Sequence, residues 1–97
     1  MYKKTRCPTH PGGILKRHYL EPLNITITEF AGVLKVSRKA LSKLVNEKGS
    51  LTPDMALRLS NALGTTPEVW LNLQQNFDLW QSANQSKEWR EVKKLAA

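Results

Sequence analysis

Two helix-start signals, at Thr26 and Ser37, follow each other so closely that the chain between them has room only for one short helix and a tight turn. Thr26 and Glu29 make the S/T-x-x-E capping box, in which each side chain satisfies a backbone N–H left free at the helix start. Ile25 and Phe30 have the spacing of the hydrophobic staple that accompanies such a box. The spacing predicts a helix from Ile27 to about Leu34. Ser37 then caps a second helix, from Arg38 to about Asn46, with Leu41, Leu44 and Val45 along one side.

The rest of the chain carries the same punctuation. Pro11 sits where a first helical residue belongs, and Ile14, Leu15 and Tyr19 follow at helical spacing until Pro22 is expected to stop the run, giving a helix over about 11–20. Thr52-Pro53-Asp54 and Thr66-Pro67-Glu68 each supply a capping hydroxyl, a proline at the first helical position and a carboxylate near the positive end of the helix dipole. The first opens a helix with Met55, Leu59, Ala62 and Leu63 on one stripe, closed by Gly64 as a left-handed cap. The second carries Trp70, Leu73, Phe77 and Trp80 at steps of three and four. No stretch alternates apolar and polar residues over strand length. The expected fold is all-α, with five helices.

Composition sets the scale. A chain of 97 residues with 40% hydrophobic content has material for one small core, so residues 1–97 are read as a single domain, with 86–97 as a short C-terminal tail. That tail has Trp89, Val92 and Leu95 at helical spacing amid mixed charge, the pattern of a short helix or of an end that orders when something binds it. The single Cys7 cannot form an internal disulfide. There is no basic leader with an apolar stretch and no apolar run near the roughly 18 residues that span a bilayer, so the expected location is the cytoplasm, with no membrane contact.

Charge distribution points to a partner. The formal net charge is +7, and residues 1–50 hold ten of the basic side chains against three acidic ones, whereas 51–97 are balanced. One half is thus suited to meet a polyanion, and the neutral half is left for packing or a protein partner. In a helix-turn-helix the two helices cross steeply, which requires a small residue at closest approach and apolar residues wedging the angle. Ala31 fits the crossing, Val36 plugs the turn, and Leu41 and Leu44 face back onto Phe30 and Leu34. The second helix then turns Arg38, Lys39, Ser42, Lys43 and Asn46 away from the core, as a recognition helix does.

Residues 26–46 resemble the helix-turn-helix of phage-repressor-type (XRE, lambda-repressor-like) regulators. The longer frame resembles the HigA antitoxins, also called virulence-associated protein I. That frame is His10-Pro11-Gly12, the block from Leu51 to Leu59, and the block from Leu63 to Gln74, and the likeness covers about residues 8–80. Membership in that family implies a homodimeric, DNA-binding antitoxin that neutralises a small mRNA-cleaving toxin of the HigB type and represses transcription of its own operon. The other reading is a solitary helix-turn-helix regulator without a toxin. The chain departs from the family pattern at three places. Lys35 stands where the turn usually has Gly, Ile27 stands where a Gln often touches DNA, and Gly13 replaces an acidic residue, a change expected to let the first helix fray.

The resemblance places Arg38, Lys39 and Lys43 where related repressors reach base edges. Arginine or lysine can donate to guanine O6 and N7 in the major groove. Ser37, Ser42, Asn46 and Lys48 are better suited to phosphate oxygens, and Thr28 can add a backbone contact. A dimer would set two recognition helices about 34 Å apart, so the expected partner is double-stranded DNA with an inverted-repeat operator. Leu79 and Trp80, apolar residues near the edge of a neutral half, are assigned to a dimer or partner contact. A toxin is expected to bind outside the recognition helix, since proteins that act on ribosomes are cationic and the basic half would repel them.

No catalytic constellation is present. His10 and His18 lack a carboxylate or thiolate at metal-ligand spacing, so both are read as capping or surface residues and no metal is expected. Gly12-Gly13 is a helix entry and not a phosphate loop. No cofactor is implied, and an enzyme is not expected.

Overall fold

The computed structural model describes residues 7–95. Its first helix, α1, spans 11–23 as an α-helical start (Pro11–Leu15), a π turn (Lys16–Leu20) and a last α turn (Glu21–Leu23). It is followed by α2 (Ile27–Leu34), α3 (Arg38–Val45), α4 (Pro53–Leu63) and α5 (Pro67–Gln85), and then by a single 3-10 turn, Glu88–Glu91. Among the described residues there is no strand, and the all-α expectation holds.

Side chains cap every one of the five N-termini. The His10 imidazole accepts from the Gly12 N–H, and the hydroxyls of Thr26, Ser37, Thr52 and Thr66 accept from Glu29, Ala40, Met55 and Val69. The Thr26 box is reciprocal, because Glu29 Oε1 takes the Thr26 N–H at 3.0 Å. That backbone bond, helped by the Thr26 side chain, holds the Glu29 carboxyl below its ordinary value.

The first helix departs from expectation at both ends. Pro22 does not stop it at Leu20. A proline inside an α-helix lacks an N–H and strikes the carbonyl four residues back, but here the preceding turn is widened so that the Glu21 N–H reaches Lys16 O, five residues back. The extra residue in that turn lets Pro22 be carried through, and the helix closes at Asn24 in a left-handed conformation. At the other end the start does not fray. Pro11, Gly12 and Gly13 are all buried. Gly12 packs directly on the end of α3, where an added Cβ would sit 1.8 Å from the Leu44 carbonyl oxygen.

The core is Leu15, Leu20, Phe30, Ala31, Leu34, Leu41, Leu44, Val45, Leu51, Ala56, Leu59 and Trp70, drawn from all five helices and the α3–α4 loop. Ala31 is buried on α2 and Val36 packs half-buried in the turn, burial that the sequence predicts for both. On α4 the buried stripe is Ala56, Leu59 and Ser60, flanked by Met55 and Leu63. Ala62, expected inward, is exposed. Along α5, Trp70 is 1% exposed and donates its indole N–H to the Thr65 hydroxyl at 2.7 Å. Gln74 is buried too, accepting the Leu51 N–H at 2.8 Å and donating to Asp78 at 2.9 Å, which ties the α3–α4 loop to α5. His10 caps as expected, but it is buried, its ring edge-to-face on Phe77 with centroids 4.8 Å apart.

The last helix runs five residues further than Trp80, to Gln85. The 3-10 turn after it gives Trp89, Val92 and Leu95 no shared buried face, and all three are exposed.

The α2–α3 turn has the conformation that normally calls for glycine. Lys35 lies at φ 59° and ψ 44°, and the Val36 N–H bonds back to Ala31 O at 3.0 Å, the six-to-one bond of a Schellman cap. Lys35→Gly should therefore raise stability by about 1 kcal/mol, less any entropy glycine adds to the unfolded chain. Urea denaturation of the two proteins would show it as a higher midpoint with an unchanged slope.

Candidate functional site

The outward face of α3 is a shallow, open hollow. Arg38, Lys39, Ser42, Lys43, Asn46 and Lys48 line it. These are six of the residues assigned to the recognition face from sequence, and α3 brings them together because its other face is filled by Leu41, Leu44 and Val45. All four charged groups in the lining are cations.

Each polar member has a definite local role. Ser37 stands at the helix start with its hydroxyl taken by the Ala40 N–H at 3.0 Å, beside the hollow and not in its lining. The Asn46 amide donates to Ser42 O at 2.9 Å and to the Ser42 hydroxyl at 3.2 Å, which fixes the far end of the helix. The Lys48 N–H returns to Lys43 O at 2.9 Å, drawing the loop back so that Lys48 joins the α3 cations although it lies beyond the helix. Thr28 belongs to α2, and its hydroxyl accepts from Arg38 Nε at 3.0 Å, so the α2 start and the α3 start are bonded to each other.

Sequence reasoning missed the residue that holds the motif to the rest of the fold. Arg58 of α4 donates through Nη1 to Leu34 O at 2.8 Å and Lys35 O at 3.2 Å, the last carbonyls of α2, while its Nε pairs with Asp54 at 2.7 Å. A cation at these carbonyls meets the negative end of the α2 dipole. The Asp54–Arg58 spacing of four residues shows in the sequence only as a surface ion pair. Its reach to α2 depends on how α4 packs.

Leu79, assigned to a partner contact, is 40% exposed on α5. It lines a mainly apolar hollow with Leu71, Gln74, Gln75, Asp78 and Ser82. Trp80 lies half-buried on the same helix and is not part of that lining.

Two short helices joined by a Schellman turn, with Ala31 buried on the first and one face of cations and hydrogen-bond donors on the second, define a helix-turn-helix domain. The family model described as helix-turn-helix matches residues 16–70. The chain is 43% identical over 95 residues to the uncharacterized HTH-type transcriptional regulator YbaQ of Escherichia coli, covering 98% of this chain and 84% of that protein. It is 43% identical over 88 residues to antitoxin HigA-1 of Vibrio cholerae, covering 91% of this chain and 83% of that one. A solved structure of antitoxin GraA in complex with its operator superposes with a TM-score of 0.88 at 36% identity, covering 100% of both chains. The chain therefore belongs to the helix-turn-helix family, in the branch that holds the HigA antitoxins.

Among the described residues no helix is long and apolar enough to cross a membrane.

Proposed function

We propose that this protein is the antitoxin of a HigBA-type module: a cytoplasmic, homodimeric autorepressor that binds an inverted-repeat operator, neutralises a HigB-like toxin and catalyses no reaction. The observation that carries the DNA-binding half is the α3 hollow, where four cations and the donors of Ser42 and Asn46 share one open face with no carboxylate in its lining. Phosphate oxygens and major-groove base edges are acceptor-rich, and this face is rich in donors. Arg38, Lys39 and Lys43 are the base-reading set. Ser37, Ser42, Asn46 and Lys48 hold the backbone, Thr28 bonds Arg38 and not the DNA, and Leu79 and Trp80 belong to the dimer or partner contact. The relatives' names support the same reading, since GraA is an antitoxin captured on its operator and HigA-1 is an antitoxin.

Two alanine variants separate the roles on DNA from upstream of the gene. Arg38→Ala should relax preference at one base pair of each half-site by about 1–3 kcal/mol. Lys48→Ala should weaken binding to every sequence alike and flatten the dependence on salt by about one unit. Affinities on cognate, single-substituted and random duplexes at fixed salt would decide it, and equal losses from Arg38→Ala on cognate and random DNA would remove the assignment.

The toxin half is tested by growth. Induction of the adjacent small reading frame should arrest cells, and supplying this protein from a second plasmid should restore them. Absence of toxicity from either neighbouring frame would favour the solitary regulator. Toxin binding is expected to leave Arg38 and Lys43 uncovered, and a complex with the toxin seated on them would overturn that placement.

A further inference from the structure

A guanidinium can meet an acceptor-rich base edge in two ways, side-on through Nε and one Nη or end-on through both Nη groups. In this protein the choice is biased before any ligand arrives. Arg38, at the first position of α3, gives its Nε–H to the Thr28 hydroxyl of α2 at 3.0 Å. The bond uses Nε, the nitrogen that the side-on mode needs and the end-on mode does not, and orients the guanidinium plane, because the group is rigid and planar. Neither residue is held there by burial, since both are exposed. Thr28 is also not needed to start its own helix, because Thr26 and Glu29 make the cap.

We infer that Thr28 is a positioning residue for specificity, holding Arg38 in the end-on mode through a hydrogen bond across the two helix starts. The inference rests on the assignment of Arg38 to base reading. An arginine free to rotate loses rotamer freedom on docking and can re-aim at neighbouring acceptors, so it tolerates more base pairs. One already bonded at Nε loses less freedom and tolerates fewer alternatives. Thr28 hence sharpens sequence preference without touching a base.

The test is a set of operator affinities for wild type, Thr28→Val, Thr28→Ser, Arg38→Ala and the double variant Thr28→Val with Arg38→Ala, on cognate duplex and on duplexes substituted at single positions. Valine matches threonine in shape and lacks the hydroxyl. Thr28→Val should lower discrimination at the base pair read by Arg38 by about three- to tenfold, part of the rotamer freedom the bond restrains. It should leave affinity for random DNA, the salt slope and the melting temperature unchanged. Thr28→Ser should restore discrimination, and in the Arg38→Ala background the valine should add nothing. Uniform weakening on all sequences would show Thr28 to be a phosphate contact and overturn the inference, as would unchanged discrimination in Thr28→Val while Arg38→Ala loses it. If Arg38→Ala itself keeps full discrimination, the base-reading assignment falls and takes this inference with it.

Discussion

Gly12→Ala should destabilise the fold by about 3 kcal/mol or more, at or beyond the upper end of ordinary overpacking. An added Cβ would lie 1.8 Å from Leu44 O and 2.8 Å from Leu44 C. These are backbone atoms near the end of α3, and no rotamer change can relieve the clash. Either α1 lifts, exposing Leu15 and disturbing the buried His10 cap, or α3 shifts and the recognition face turns with it. For a chain of this length that cost is a fall of more than about 12 °C in melting temperature. Gly32→Ala is the matched control, because an added Cβ there meets nothing within 4 Å. It should be neutral or slightly stabilising, since alanine is the better helix former in α2. A Gly12→Ala protein melting within a few degrees of wild type would mean that α1 does not pack on α3 this closely.

Operator binding should collapse as salt rises. Arg38, Lys39, Lys43 and Lys48 line one face, so a dimer brings twice that set into the counterion atmosphere of the duplex. Cations that read base edges displace condensed ions from the flanking phosphates as Lys48 does, which puts the set within the range of about six to ten charges for which counterion release dominates. Raising monovalent salt from about 50 mM to 200 mM is then expected to weaken binding by roughly a thousand- to a hundred-thousand-fold. A salt titration by fluorescence anisotropy reads the slope directly. A loss of less than about tenfold would mean that the α3 cations do not displace condensed counterions, and that the hollow is not the DNA-binding face.

Much of this architecture is local and could be read from the chain. The hydroxyl caps at Thr26, Ser37, Thr52 and Thr66 are satisfied within three residues of themselves, so they announce their helices wherever the chain is placed. The α3 face was legible for a related reason. A helix of eight residues with Leu41, Leu44 and Val45 inward leaves Arg38, Lys39, Ser42 and Lys43 only the other side. The Lys35 turn followed from the short spacing of two caps, and its left-handed geometry shows what that spacing demands of a non-glycine residue.

Of the remaining features, one is local but breaks the usual rule, and the others depend on atoms far apart in sequence. Pro22 stops a helix by local rules, yet it is carried through because a π turn widens the segment before it. His10 reads as a capping or surface residue, and its cap is buried because Phe77, on another helix, packs edge-to-face against its ring. Arg58 reads as half of an exposed ion pair with Asp54, and only the packing of α4 brings its guanidinium to the last carbonyls of α2. The sequence by itself determined where helices begin, which face of each is apolar and where the positive charge lies, because capping, periodicity and charge act over a few residues. Tertiary structure alone decided that Gly12 must lack a side chain, that Arg58 clamps the turn and that Thr28 holds Arg38, because each depends on the distance between helices that sequence spacing does not encode.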